Sequence, residues 1–129
     1  MKTPNDLKYN KTDEWVKLEE NNAIIGISDY AQDQLSDIVF FEFLKNPGDD
    51  FKKDDILASV ESVKAASDII APVSGKIVEV NNVVVDKPEI LNEDPYDQGW
   101  LFKIELVNPS ELDNLMDSGA YTTYCEGRH

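Results

Sequence analysis

Cysteine and histidine are almost missing from this chain, with one of each in 129 residues. A lone Cys125 excludes an intramolecular disulfide and any thiolate cluster for zinc or an iron–sulfur centre. Beside Tyr124 it reads as a packed thiol rather than a nucleophile. His129 is the last residue, where chains are least ordered, and it lends no support to a Cys/His dyad. Positive charge is also scarce: 12 Lys and Arg against 26 Asp and Glu give a formal net charge of -14. That balance opposes binding to phosphate backbones and anionic membrane surfaces, so neither nucleic acid nor a membrane is an expected partner. Solubility and steering towards basic patches on partners account for the acidity equally well.

Long apolar runs are lacking too, which excludes a transmembrane helix. The opening Met1-Lys2-Thr3-Pro4-Asn5-Asp6 has neither the apolar core of a secretory signal nor the arginine-rich pattern of a transit peptide. The expected compartment is the cytoplasm, or the mitochondrial matrix for a processed eukaryotic form. There is no phosphate-cradling glycine loop, nucleophile elbow or histidine metal motif, and the acidic residues Glu89, Glu93, Asp94 and Asp97 do not have EF-hand spacing. The sequence therefore shows no catalytic machinery and no metal site. At 129 residues and 41% hydrophobic content it suits one domain with one core.

What is present is mostly strand. Trp15–Leu18 and Ala23–Ile27 read as a hairpin through Glu19-Glu20-Asn21-Asn22, whose asparagines tolerate positive φ. Ser28 is placed to cap a short helix over 29–35, with Asp29 at the positive end of its dipole. Ile38–Leu44 is the strongest strand and stops at Asn46-Pro47-Gly48. The run Ser74–Asn81 echoes Ser36–Phe43, and Trp100–Glu105 echoes Ile56–Glu61, which points to two packed sheets, neither able to bury its apolar side alone. Asn108-Pro109-Ser110-Glu111 has the cap, proline and glutamate of a helix start, and Leu112, Leu115 and Met116 then share a face up to Gly119.

Between the apolar runs Ile56–Ala58 and Ile69–Ala71 lies Val60-Glu61-Ser62-Val63-Lys64-Ala65-Ala66-Ser67-Asp68, which sets Lys64 at the tip of a hairpin. A free lysine ammonium, with a pKa near 10.4, is a poor nucleophile, so chemistry there requires a depressed pKa or an enzyme that acylates it. Left alone, it is a solvated surface charge.

Glu61-Ser62-Val63-Lys64-Ala65, followed by Ser67-Asp68 and Ala71-Pro72-Val73-Ser74-Gly75, resembles the lipoyl-lysine site of the H protein of the glycine cleavage system. Gly26-Ile27-Ser28-Asp29-Tyr30-Ala31-Gln32 and Ile90-Leu91-Asn92-Glu93-Asp94-Pro95-Tyr96 with Gly99-Trp100 resemble the same family, and the match runs from about Leu7 to Tyr124. The resemblance implies a mainly β fold, a biotinyl/lipoyl-type hybrid barrel-sandwich of two small antiparallel sheets with short peripheral helices. It implies a single lipoyl-carrier domain over 1–129, with a core at about 7–107 and a C-terminal helical segment at 109–125. Lys64 would carry covalent lipoate, taking the charge from -14 to -15, and Glu61 would serve recognition by a lipoylating enzyme.

The same resemblance implies that the chain, not itself an enzyme, takes an aminomethyl group from a pyridoxal-phosphate glycine decarboxylase. It would hand the group to a tetrahydrofolate-dependent aminomethyltransferase and be reoxidised by a flavin (FAD) dihydrolipoyl dehydrogenase. A monomer is expected. When the loaded arm folds back, Glu14, Asp68 and Thr12 would accept its charged amine. Read by themselves, Glu14 is a solvated charge beside Trp15 and Asp68 a strand-end charge. Asp13 stands where the family usually has histidine, Ser36 and Asp54 stand where it usually has glycine, and Leu44-Lys45-Asn46-Pro47 is one residue longer than usual. At Asp54 a turn needing positive φ would penalise the aspartate.

Other carriers fit less well. Biotin sites have Met-Lys-Met where this chain has Val63-Lys64-Ala65, and lipoyl domains of 2-oxoacid dehydrogenases have Asp-Lys-Ala and lack the loop Asn92-Glu93-Asp94-Pro95-Tyr96. A lipoyl relay or regulatory paralogue would keep Lys64 and stays open. So does a plain interaction domain with an unmodified Lys64.

Overall fold

The computed structural model describes residues 1–20 and 22–128. The expectations attached to Asn21, as a turn residue, and to His129, as a poorly ordered end, lie outside the described residues. Within them the positive φ of the first hairpin falls on Glu20 (φ 55°).

That hairpin joins β2 (Glu14–Glu19) to β3 (Asn22–Ile27) in antiparallel register, with Val16 opposite Ile25 and Glu14 opposite Ile27. Alternation explains which face is buried: Ala23, Ile25 and Ile27 point inward at every second residue. The two-residue β1 (Lys8–Tyr9) extends this pair on one side. On the other side follow β9 (Phe102–Leu106), β8 (Gly75–Val80) and the two-residue β5 (Asp50–Phe51), so the larger sheet runs β1-β2-β3-β9-β8-β5. The smaller sheet is β4 (Ile38–Phe43), β6 (Ile56–Ser62) and β7 (Ala66–Ile70), with β6 in the middle. All pairings are antiparallel.

The expected mainly β sandwich of two antiparallel sheets with short helices is what forms. The weak internal echo also has a structural counterpart, since β4 pairs with β6 as β8 pairs with β9. A bulge falls between Ile38 and Phe40 in the first pair and between Ile77 and Glu79 in the second. The sheets are nevertheless unequal, because β1 to β3 and β5 are all added to the second pair. Ile25, Ile77 and Ile104 of one sheet and Phe41, Leu57 and Val60 of the other form a single cluster, each 0 or 1% exposed. Burying a side chain of this size is worth about 1.5–3 kcal/mol, which is why neither sheet can stand alone.

The helix α1 (Asp29–Leu35) carries the chain from β3 to β4, that is, from one sheet to the other. Its start is as expected: the Ser28 hydroxyl accepts from the Ala31 N–H at 3.1 Å. It ends at Ser36, with φ 65° and ψ -149°, in a region that only glycine enters easily. The side chain of Asn92 holds this corner, donating to the Ser36 carbonyl at 2.7 Å and accepting from the Ile38 N–H at 2.8 Å. Asn92 lies in α3 (Ile90–Glu93), one of two single-turn helices with α2 (Val83–Asp86); these bury Leu91 and Val84.

A second cluster forms around Trp15, Tyr9 and Tyr121. The indole N–H of Trp15 donates to the Pro95 carbonyl at 3.1 Å, and its ring lies so close over Gly26 that a Cβ there would sit 2.4 Å from it. A side chain at position 26 is therefore incompatible with this packing.

The C-terminal helical segment differs from the expected single helix. Pro109–Asn114 is a 3₁₀ helix, and Asn108 makes no side-chain cap. Glu111 does not complete a capping box. Its carboxylate instead accepts from the Ser74 N–H and hydroxyl at 2.7 and 2.9 Å. Met116 then pairs with Tyr9 through two backbone hydrogen bonds of 2.8 Å, which requires extended backbone and ends the helix before Gly119. A new helix, α4 (Ser118–Glu126), starts from an Asp117 cap, and Gly119 lies inside its first turn rather than at a stop. Among the described residues no helix is long and apolar enough to cross a membrane.

Asp54 (φ 77°) and Ser36 both hold positive φ, where a Cβ is strained. Ser36→Gly is expected to raise stability by about 1 kcal/mol and the melting temperature by roughly 3–5 °C in calorimetry. Asp54→Gly should gain less, because aspartate tolerates this region better than serine. A lower melting temperature for Ser36→Gly would contradict the strain.

Candidate functional site

Lys64 is one of two residues, with Val63, at the tip of the hairpin joining β6 to β7. The Ser62 N–H donates to the Ala65 carbonyl at 2.7 Å. The return bond is made by the Ser62 side chain, whose oxygen accepts from the Ala65 N–H at 3.0 Å. Neither tip residue has positive φ, so this is not one of the primed turns common in hairpins, and the serine hydroxyl does what a backbone carbonyl would do there. From outside the hairpin, the Val63 N–H donates to the Asp37 carbonyl at 3.0 Å. The tip backbone is thus held from two sides, while the Lys64 side chain is exposed and forms no ion pair within the described residues.

Glu14, the first residue of β2, is 1% exposed and is not the solvated charge that its neighbourhood in sequence permits. Its carboxylate accepts from the Thr12 hydroxyl, from the Ile70 N–H at 3.1 Å and from Asn10 Nδ2 at 3.4 Å. Ile70 belongs to the edge strand β7, so the carboxylate links the two sheets. Burial pushes its pKa up to about 7, with the hydrogen bonds from Thr12 and Ile70 opposing the shift.

Thr12, Glu14 and Asp68 line one cleft of about 260 Å³, whose apolar side includes Ile27, Leu35, Val60 and Ile69. Three expected residues thus come together, and Val60, Ser67 and Asp68 of the Lys64 hairpin form part of the same wall. Asp68 is an exposed strand residue opposite Ser59. Glu61 does not join them: it is exposed on β6, opposite Ala66, outside the cleft. Three larger hollows, of about 700, 720 and 440 Å³, are lined from Leu18 to Leu112, from Asp50 to Glu111 and from Glu19 to Lys103 respectively, and none includes a residue of the Lys64 hairpin.

Sequence reasoning missed Arg128 in this cleft. The only available signal was its being the sole arginine of the chain. It also recorded Asp13 merely as a departure from a histidine, whereas Asp13 is bound to Arg128 on the cleft wall.

Comparison with known proteins points to one family. A profile of the glycine cleavage H-protein family matches residues 7–128. The glycine cleavage system H protein of Symbiobacterium thermophilum is 50% identical over 121 residues, covering 94% of each chain. That of Thermotoga maritima is 49% identical over 118 residues, covering 92% of this chain and 94% of its own. The crystal structure of a glycine cleavage system H protein from Mycobacterium marinum superposes with a TM-score of 0.85 at 32% identity, covering 93% of this chain and 96% of that one. With a mainly β sandwich, an exposed hairpin lysine and a match over nearly its whole length, the chain belongs to the glycine cleavage H-protein family, whose members carry covalently attached lipoate and are carriers rather than enzymes.

Proposed function

We propose that Lys64 is the lipoyl attachment point and that the chain shuttles an aminomethyl group within the glycine cleavage system. The proposed donor is the pyridoxal-phosphate glycine decarboxylase and the acceptor the tetrahydrofolate-dependent aminomethyltransferase, with the FAD-dependent dihydrolipoyl dehydrogenase reoxidising the carrier. The single observation that carries this reading is the fixed tip with a free amine, described above. An acylating enzyme needs a lysine that it can reach in a constant backbone shape, and the Ser62, Ala65 and Asp37 bonds supply that shape. Exposed Glu61, on the same hairpin, is assigned to recognition by the lipoylating enzyme.

When bound, the lipoyl group would supply a redox-active disulfide, the chemistry that lets a carrier be loaded, unloaded and reoxidised by its partner enzymes. The residues of the chain would hold and orient it. The cleft offers apolar wall to the ring and carbon chain, and Glu14, Asp68 and Thr12 offer oxygen acceptors to a charged amine. Thr12 and the Ile70 N–H keep the Glu14 carboxylate hydrogen-bonded while it waits. Tethering keeps the reactive group near each docked enzyme at high local concentration. We further assign the chain to one working domain, a monomer, and to the cytoplasm, in keeping with the bacterial relatives.

Two measurements test this reading. After co-expression with a lipoylating enzyme, intact mass and peptide mapping should show one lipoyl increment on the Lys64 peptide, absent in Lys64→Arg. A biotin increment, or none with a competent enzyme, would refute the assignment.

The second concerns Glu14. Its folded pKa of about 7 lies above the usual 4.5, so between these values the folded state holds a proton that the unfolded state has released. Stability from this group therefore falls as pH rises across that window. In urea titrations of the unlipoylated protein, wild type should lose stability between about pH 4.5 and 7 more steeply than Glu14→Gln. Equal slopes would mean that the carboxylate is not desolvated.

A further inference from the structure

Arg128 comes to rest against the turn that carries Thr12 and Glu14. Its guanidinium grips the Asp13 carboxylate through two bonds, of 2.5 Å to Oδ1 and 3.0 Å to Oδ2. The rings of Tyr30 and Tyr124 lie 4.4 and 4.8 Å from the same guanidinium, so the cation is packed between aromatic faces as well as paired. The Tyr121 hydroxyl donates to Asp13 Oδ1 at 2.7 Å and lies 2.6 Å from the Ser28 hydroxyl. Since the Tyr121 proton goes to Asp13, Ser28 donates to Tyr121 while accepting from the Ala31 N–H. One carboxylate thereby joins the end of α4, the cap of α1 and the turn before β2.

That turn needs holding. Asp13 has φ 79°, a strained conformation costing about 1–2 kcal/mol for a residue with a Cβ. Its backbone is fixed at both ends, the N–H donating to the Asn10 carbonyl and the carbonyl accepting from the Ser28 N–H, each at 2.9 Å. Thr12 and Glu14 are its immediate neighbours, so the direction of their side chains follows from its conformation. Charge gives Arg128 a second role. The charged and titratable side chains lining the cleft are Asp13, Glu14, Asp68, Tyr30 and Arg128. Arg128 cancels Asp13, leaving Glu14 and Asp68 as the cleft's uncompensated acceptors.

The geometry points to Arg128 and Asp13 as a latch between the end of α4 and the cleft, positioning Thr12 and Glu14 for the amine of the loaded lipoyl arm. This rests on the reading of the cleft as the docking place of that arm. Arg128 is a positioning residue here, acting through Asp13, and its planar fork is what a lysine could not reproduce.

The test uses the lipoylated protein and two NMR readouts. One is the titration midpoint of the Glu14 carboxyl, and the other is the shift of the Ile70 amide, which donates to Glu14, when the arm is loaded with the aminomethyl group. In Arg128→Gln an uncompensated Asp13 should move the Glu14 midpoint upward, and the docked fraction should fall about threefold. Arg128→Lys should restore the midpoint, because the charge returns, but not the docked fraction, because the fork does not. If Glu14→Gln abolishes the loading-dependent change at Ile70 while Arg128→Gln alters neither readout, the latch is overturned and arm docking stands. If the wild-type Ile70 amide does not respond to loading at all, arm docking itself is wrong and the latch falls with it.

Discussion

A carboxylate kept out of water holds the cleft together. Glu14 starts β2 in the six-stranded sheet, and its oxygen accepts from the N–H of Ile70 on β7, an edge strand of the three-stranded sheet. An edge strand turns unpaired backbone donors outward, and one of them is satisfied here by a side chain from the other sheet. Burying an ionised carboxylate is costly unless donors surround it, and Thr12, Asn10 and Ile70 provide three. The compensation is incomplete, which is why the proton affinity of this group rises towards neutrality. An acceptor so arranged is short of positive charge, and the amine of a loaded carrier arm would bring one.

The hairpin beside it obeys a different economy, a stiff backbone under a free side chain. Ser62, Ala65 and the Asp37 carbonyl fix the two tip residues without recourse to glycine or positive φ. A carrier needs both properties: a constant shape for the enzyme that modifies it, and a long unattached stem to move cargo between active sites. The same strands that fix the tip run back to wall the cleft through Val60, Ser67 and Asp68, so the proposed attachment point and the proposed docking place are set by one piece of structure.

Much of this was legible in the sequence because the informative patterns were local. Alternation in Ala23-Ile24-Ile25-Gly26-Ile27, the Ser28 cap and the apolar runs on either side of Lys64 each reflect backbone rules acting over a few residues. Where reading failed, a distant partner had outbid a local one. The start at Asn108-Pro109-Ser110-Glu111 has every mark of an α-helix, but Glu111 is taken by Ser74 and Met116 by Tyr9. Glu14 gives no sign of burial in Thr12-Asp13-Glu14-Trp15, since the group that covers it, Ile70, is 56 residues away. Arg128 and Asp13 are separated by 115 residues, and only folding shows that they meet.

The most direct test of the central claim, a fixed hairpin lysine that carries a lipoyl arm to a cleft built around Glu14, is a crystal structure of the lipoylated protein loaded with the aminomethyl group. The account predicts continuous density from Lys64 Nζ along the hairpin into the cleft, with the amine within hydrogen-bond distance of the Glu14 carboxylate. An ordered arm lying against any other surface, with the Glu14 cleft empty of it, would contradict the account.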